Sequence, residues 1–301
     1  MKIGIALGGG GARGIAHIGV LKVLEREKIP IDFIAGTSMG AIIGAMYSQN
    51  PSAHSVINRI QIYLESNDYK SLGIKHFVPR QVKAEKTLSF LQFLYKGLWE
   101  RFSMEISSRR SGLLKKNRLE EALKILLNQG NIEDTAIPFA AVATDISSGK
   151  TVVIREGDIR KAVRISASIP GIVPPEIVEE SVLVDGGVTE PVPVHAVRKM
   201  GADFVIAISV NVKELNPLKN PNIIDIITRA ETIRGNILSS EIIKDADFLF
   251  YPDLKDAHWS EFMRYYEFIE AGIKEAEEKI DELKKVLKKR KSLWRRIWKR
   301  Q

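Results

Sequence analysis

The sequence predicts an α/β protein: a mostly parallel central sheet with helices on both faces and a helical cap inserted into it. Three observations lead there. Over the first fifty residues, short apolar runs of strand length alternate with segments of 3.6-residue period. Between about 63 and 131 that alternation stops, strand-like runs become few and charges frequent, as expected of a cap. From Pro138 the apolar strand-length runs resume and recur to Val210. The 301 residues suffice for one large domain of this kind, and no internal repeat or clear linker divides them.

The elements follow in order. Lys2 to Leu7 reads as the first strand, and no secretory signal is evident. The run Gly8 to Gly14 follows, then a helix carrying Ile15, Ile18, Gly19, Leu21, Val23 and Leu24. Ile31, Phe33, Ile34 and Ala35 make a second strand, and Ala41 to Met46 a second helix closed by Asn50-Pro51. This alternation implies a parallel sheet covered on both sides. In the cap, Phe90, Leu91, Phe93, Leu94, Leu98 and Trp99 form an aromatic amphipathic segment, and Lys115 to Leu127 another helix. Phe139 to Asp145 and Thr151 to Ile154 read as strands about a turn at Ser147 to Lys150. Asp158 to Ile165 is helical, and Ser166 to Pro175 a proline-punctuated loop. Val182 to Asp185 is a strand leaving through Gly186-Gly187, and Phe204 to Val210 is a buried one. Helical patterns cover Ile223 to Leu238 and Glu261 to Leu287.

Composition removes several classes of chemistry. There is no cysteine, hence no disulfide, thiol nucleophile or thiolate metal site. No apolar run is long enough to span a bilayer, so a cytoplasmic protein is expected, peripheral on the inner face of the membrane. The net charge of +8 sits in the tail: residues 284–301 hold ten Lys or Arg and no acid. The remaining 35 basic and 37 acidic residues leave the body near neutral, so no specific nucleic-acid partner is expected. No acidic cluster resembles a calcium site, and neither a metal nor a cofactor is expected.

Three stretches carry chemistry. Gly36-Thr37-Ser38-Met39-Gly40 places a serine between a strand and a helix in a G-x-S-x-G pattern. Small residues at Gly36 and Gly40 allow the sharp turn that exposes the hydroxyl at a helix N-terminus. Gly8-Gly9-Gly10-Gly11-Ala12-Arg13-Gly14 brings backbone N–H groups to the same sheet edge. That loop either supplies an oxyanion hole for Ser38 or binds a nucleotide. For a nucleotide site, Asp32 has suitable spacing but starts its strand instead of ending it. Arg13 either ties the loop down or helps an anionic substrate. Asp185-Gly186-Gly187 ends a strand, at the carboxyl edge if that strand is parallel. A serine needs a base, and none of the five histidines has a supporting motif. His17 reads as a core residue; His54 and His76 border the cap; His195 and His258 follow Asp185, as a Ser…Asp…His order would require. An aspartate alone suffices if it is within hydrogen-bond reach and partly desolvated.

A G-G-G-x-R loop, a G-x-S-x-G turn and a later D-G-G, in that order, resemble the patatin-like phospholipases, most of all their short bacterial members. The resemblance covers residues 1 to about 210, and extends to Ser166-Ala167-Ser168-Ile169-Pro170 and to Pro191-Val192-Pro193. It implies a fold related to the α/β-hydrolases, Ser38 as nucleophile and Asp185 as base in a dyad without histidine. It also implies an oxyanion hole at Gly9, Gly10, Gly11 and Arg13, Gly186-Gly187 as the turn beside the dyad, and a lipid ester as substrate. The competing readings are a nucleotide-binding protein and an inactive lipid-binding or scaffold protein.

The expected domains are 1–283 and a basic amphipathic helix, 284–301. Leu283, Val286, Leu287, Leu293, Trp294, Ile297 and Trp298 share one arc of that helix, opposite most of the cations. The arrangement suits contact with an anionic membrane surface through Trp294 and Trp298. A helix docked on the domain and a solubilising tail are the other readings.

Overall fold

Five parallel strands frame the eight-stranded sheet seen among the described residues of the computed structural model. Residues 1–66, 116–212, 215, 217–218, 223–255 and 257–298 are described. The parallel strands are β1 (Ile3–Leu7), β2 (Phe33–Thr37), β3 (Phe139–Asp145), β7 (Phe204–Ile208) and β8 (Phe248–Phe250). The others, β4 (Lys150–Ile154), β5 (Glu176–Val178) and β6 (Ser181–Asp185), run antiparallel to their neighbours. The order is β5-β6-β3-β2-β1-β7-β8, with β4 also against β3.

Burial on both faces explains why β1, β2, β3 and β7 are almost wholly apolar. One face (Ile3, Ile5, Leu7, Ile34, Phe139, Ile206, Ile208) packs against α1 (Ala16–Arg26), α2 (Met39–Gln49) and α8 (Tyr265–Trp298). The other (Ala6, Ala35, Ala140, Val142, Val205, Ala207) packs against α6 (Val194–Lys199) and α7 (Ile223–Ile242). Between them in the chain come α3 (Ala53–Glu65), α4 (Lys116–Leu126) and α5 (Ile159–Ser166). Most of the expected cap, including Phe90 to Trp99, lies outside the described residues.

The pairing of β3 positions the site. Strand β4 covers residues 141–145 along one side of β3. Strands β2 and β6 therefore share its other side. Strand β2 ends where Thr37 pairs with Val142, and β6, running the opposite way, ends where Asp185 pairs with Ala143. The carboxyl ends of β2 and β6 meet head-on. The condition for placing Asp185 at the carboxyl edge, a parallel strand, is not met: β6 is antiparallel, starts beyond the sheet edge and runs back toward the elbow. Its Asp185 reaches the carboxyl edge of β3 only because β6 is short.

Three elements escaped the sequence reading. Strands β5 and β8 have three residues each, too few for a period to register, and α3 lies almost wholly before the expected cap, in a stretch to which the sequence assigns no element. The C-terminal helix also differs from expectation, because α8 runs without a break from Tyr265 to Trp298. Leu283 and Leu287 are buried in the core, with Val286 packed beside them. Lys284 Nζ reaches Glu27 at 2.6 Å, and Arg290 reaches Asp247 at 3.3 Å. The first half of the proposed membrane helix is thus docked on the domain. The side chains of Trp294 and Trp298 lie outside the described residues.

Candidate active site

Ser38 is the only residue between β2 and α2, and its backbone carries the turn with φ 55° and ψ −121°. A non-glycine residue there is strained, at a typical cost of about 1–3 kcal/mol. The flanking glycines are forced by space. A Cβ on Gly36 would stand 2.3 Å from Gly40 O, and one on Gly40 would stand 2.1 Å from Leu7 O. The hydroxyl-bearing residue is itself buried at 7% exposure, and Ala41 N and Ile42 N donate to its carbonyl at 2.9 and 3.2 Å.

The glycine loop lies directly against the elbow: a Cβ on Gly9 would be 3.3 Å from Ser38 Cβ. Its donors are not all available. Gly8 N–H donates to Ile208 O at 3.0 Å and Gly9 N–H to Pro191 O at 2.9 Å. The N–H groups of Gly10 and Gly11 make no hydrogen bond among the described residues. Met39 N–H, first in α2, has no intrahelical acceptor. Arg13 is half-buried and donates from Nε to Gly10 O at 3.1 Å, which ties the loop down. Desolvation lowers its pKa to about 10, so it stays a cation at neutral pH. His17 is a core residue, as its apolar neighbours suggest. It is fully buried, its Nε2 lies 2.7 Å from Gly8 O, and burial lowers its pKa to about 4. The neutral ring donates to that carbonyl and holds the loop from behind.

Asp185 is 5% exposed. Oδ1 accepts from Gly187 N–H at 2.7 Å, which caps the short turn Gly186–Val188. Oδ2 is buried without a hydrogen bond of full geometry. Burial pushes the carboxyl up to about 6, while the neighbouring Ser38 hydroxyl and the Gly187 N–H pull it partway back. A desolvated carboxylate with one open oxygen near a serine hydroxyl has raised basicity, which is what a general base for that hydroxyl requires.

The loop after Asp185 binds the three motifs together. Glu190 N donates to Gly186 O at 2.8 Å, Glu190 O accepts from Thr37 Oγ1 at 2.8 Å, and Pro191 O takes the Gly9 N–H. The other described histidines make hydrogen bonds outside the three motifs, although His258 neighbours Trp259, whose carbonyl takes the Ala12 N–H of the glycine loop at 2.7 Å. His195 pairs with Asp245 at 2.8 Å, His258 with Ser260 at 2.7 Å, and His54 with Asn58 at 3.2 Å. His76 lies outside the described residues. Asp32 Oδ2 accepts from Ile3 N–H at 2.7 Å, at the end of the sheet away from the glycine loop.

The chain matches the patatin-like phospholipase family over residues 5–198. It belongs to that family. It is 31% identical over 224 residues to an NTE family protein of Mycobacterium tuberculosis, covering 74% of this chain and 53% of that one. It is 31% identical over 210 residues to the lysophospholipase NTE1 of Mycosarcoma maydis, covering 70% of this chain and 10% of that protein. The chain thus spans about half or less of these relatives. Among solved structures, VipD from Legionella pneumophila aligns over 93% of this chain and 66% of its own, with a TM-score of 0.46 and 13% identity. Among the described residues, no helix is long and apolar enough to cross a membrane.

Proposed function

We propose that this patatin-like protein is a serine acyl hydrolase for carboxylic esters of lipids, working through a Ser38–Asp185 dyad. The observation that carries the proposal is the head-on meeting of β2 and β6, which sets a strained serine beside a buried, half-open carboxylate. Asp185 takes the Ser38 proton as Oγ attacks the acyl carbonyl. The negative charge on the former carbonyl oxygen falls to free backbone donors. Gly10, Gly11 and Met39 supply those better than Gly9, whose N–H is engaged. The tetrahedral intermediate collapses, the ester C–O bond breaks, and the leaving alkoxide takes the proton from Asp185. Water then attacks the acyl-serine with Asp185 as base, which frees the fatty acid and restores the serine. Arg13 holds the loop and contributes positive charge near it.

The substrate class draws support from the family and from the lysophospholipase among the relatives. The nucleotide reading loses support because Asp32 and the Gly8 and Gly9 N–H groups are engaged in holding the fold. Attachment to an anionic membrane remains part of the proposal for the end of α8 only, since its earlier apolar residues are docked. The test is labelling with a fluorophosphonate and hydrolysis of p-nitrophenyl esters and lysophospholipid by the full chain, Ser38→Ala and Asp185→Asn. Both variants are expected to lose turnover; a Ser38→Ala chain labelled as fast as wild type overturns the proposal.

A further inference from the structure

The backbones of Ser38 and Asp185 hang on one three-residue segment, Ser166-Ala167-Ser168, at the end of α5. Ser166 and Ser168 have no exposure at all. Ser166 Oγ accepts from Ser38 N–H at 3.0 Å and donates to Val142 O at 2.6 Å. Two residues later, Ser168 O accepts from Asp185 N–H at 2.9 Å. The hydroxyl of Ser168 takes no part, because it turns back to Arg164 O at 2.9 Å.

The position of Ser166 follows from the elbow. The β2–β3 ladder reaches Thr37 and Val142, and the sharp turn then lifts Ser38 off the strand. That would orphan a buried N–H on Ser38 and leave Val142 O short of a donor. One hydroxyl, donor and acceptor at once, fills the gap. A methyl group leaves both backbone groups unpaired in the interior, where such groups are costly. The Asp185 amide is fixed through the same segment, so a shift at Ser166 changes the distance between the serine and the carboxylate.

We infer that Ser166 is a positioning residue for the nucleophile, and that the 166–168 segment sets the spacing of Ser38 from Asp185. The inference rests on Ser38 and Asp185 being the reacting pair. It extends to the pH response of the site. The Ser38 hydroxyl holds the Asp185 pKa below the value that burial alone would give, so a displaced Ser38 lets that pKa rise.

The experiment compares wild type, Ser38→Ala, Ser166→Ala, Ser166→Cys and Ser168→Ala. It reads kcat and KM on p-nitrophenyl butyrate from pH 4 to 9, with a thermal melt for each. For Ser166→Ala, kcat is expected to fall about tenfold to a hundredfold, the scale of a small misplacement of reacting groups, with KM within about twofold. The acid limb of its kcat/KM profile moves to higher pH. Ser166→Cys, of similar shape but a poorer hydrogen bonder, falls between wild type and alanine, and stands in if the alanine variant does not fold. Ser168→Ala keeps the carbonyl link to Asp185 and stays within about threefold of wild type. A Ser166→Ala (or Cys) enzyme with wild-type kcat overturns the inference. So does Ser168→Ala losing as much as Ser166→Ala, because both would then report general loosening. If wild type and Ser38→Ala turn over alike, the dyad reading itself fails, and that failure is distinct from the other two.

Discussion

Ser38 and Asp185 reach the same point on β3 by opposite routes, and each carries a different kind of destabilisation. Ser38 ends a parallel strand in a local turn, and its burden is a backbone held at φ 55°. Asp185 ends an antiparallel strand formed by distant pairing, and its burden is a carboxylate out of water. The first is independent of pH; the second is not. In the proposed dyad both members are held at a cost, and only the carboxylate's cost is visible to titration.

The largest effects break the pair outright. Ser38→Ala in the proposed enzyme should lower ester turnover at least about a thousandfold and abolish fluorophosphonate labelling. Asp185→Asn should lower kcat by about a hundredfold to ten-thousandfold, because the base is lost while the shape is kept. On the serine side, Gly40→Ala should destabilise the fold by about 3 kcal/mol or more in urea melts, since its Cβ would stand 2.1 Å from Leu7 O.

Stability measurements sharpen the comparison. The folded Asp185 pKa of about 6 lies above the unfolded value of about 3.9, so folding takes up a proton between them. Stability therefore falls as pH rises through that window. Asp185→Asn should gain about 2–3 kcal/mol over wild type at pH 8 and nothing at pH 3.5. Ser38→Gly should gain about 1 kcal/mol at pH 3.5 by relieving the turn, and less at pH 8, where the lost hydroxyl no longer steadies the Asp185 carboxylate. Equal pH dependence in the two variants would erase the distinction. Deleting residues 292–301 should have the smallest effect: little change in turnover on a soluble ester, with weaker sedimentation on anionic vesicles.

The two sides also differ in how far the sequence revealed them. The elbow was legible because everything that makes it is local: an apolar run, two forced glycines, a serine and a helix. Asp185 was legible as a residue but not in its route, since strand direction depends on pairing with β3, some forty residues away in the chain. The engaged Gly9 N–H and the Ser38 end of the Ser166 bridge depend on contacts 128 or more residues apart, which no spacing rule exposes. The sequence signals Ser166 only through its place in a proline-punctuated loop and the resemblance of Ser166-Ala167-Ser168-Ile169-Pro170 to the family, neither of which assigns it a hydrogen bond. The apolar arc that starts at Leu283 is legible as a stripe, and Leu283 and Leu287 are buried in the core. A helical wheel gives the same stripe whether it faces lipid or the domain, and α1 and β8 decide that for its first half.

The most direct test is the pH dependence of fluorophosphonate labelling, followed by intact mass with the site located by peptide mapping. The account predicts a single adduct on Ser38, with a second-order rate that rises through a midpoint near pH 6 and loses both rate and midpoint in Asp185→Asn. An adduct elsewhere, or a midpoint near 6 that survives in Asp185→Asn, would contradict it.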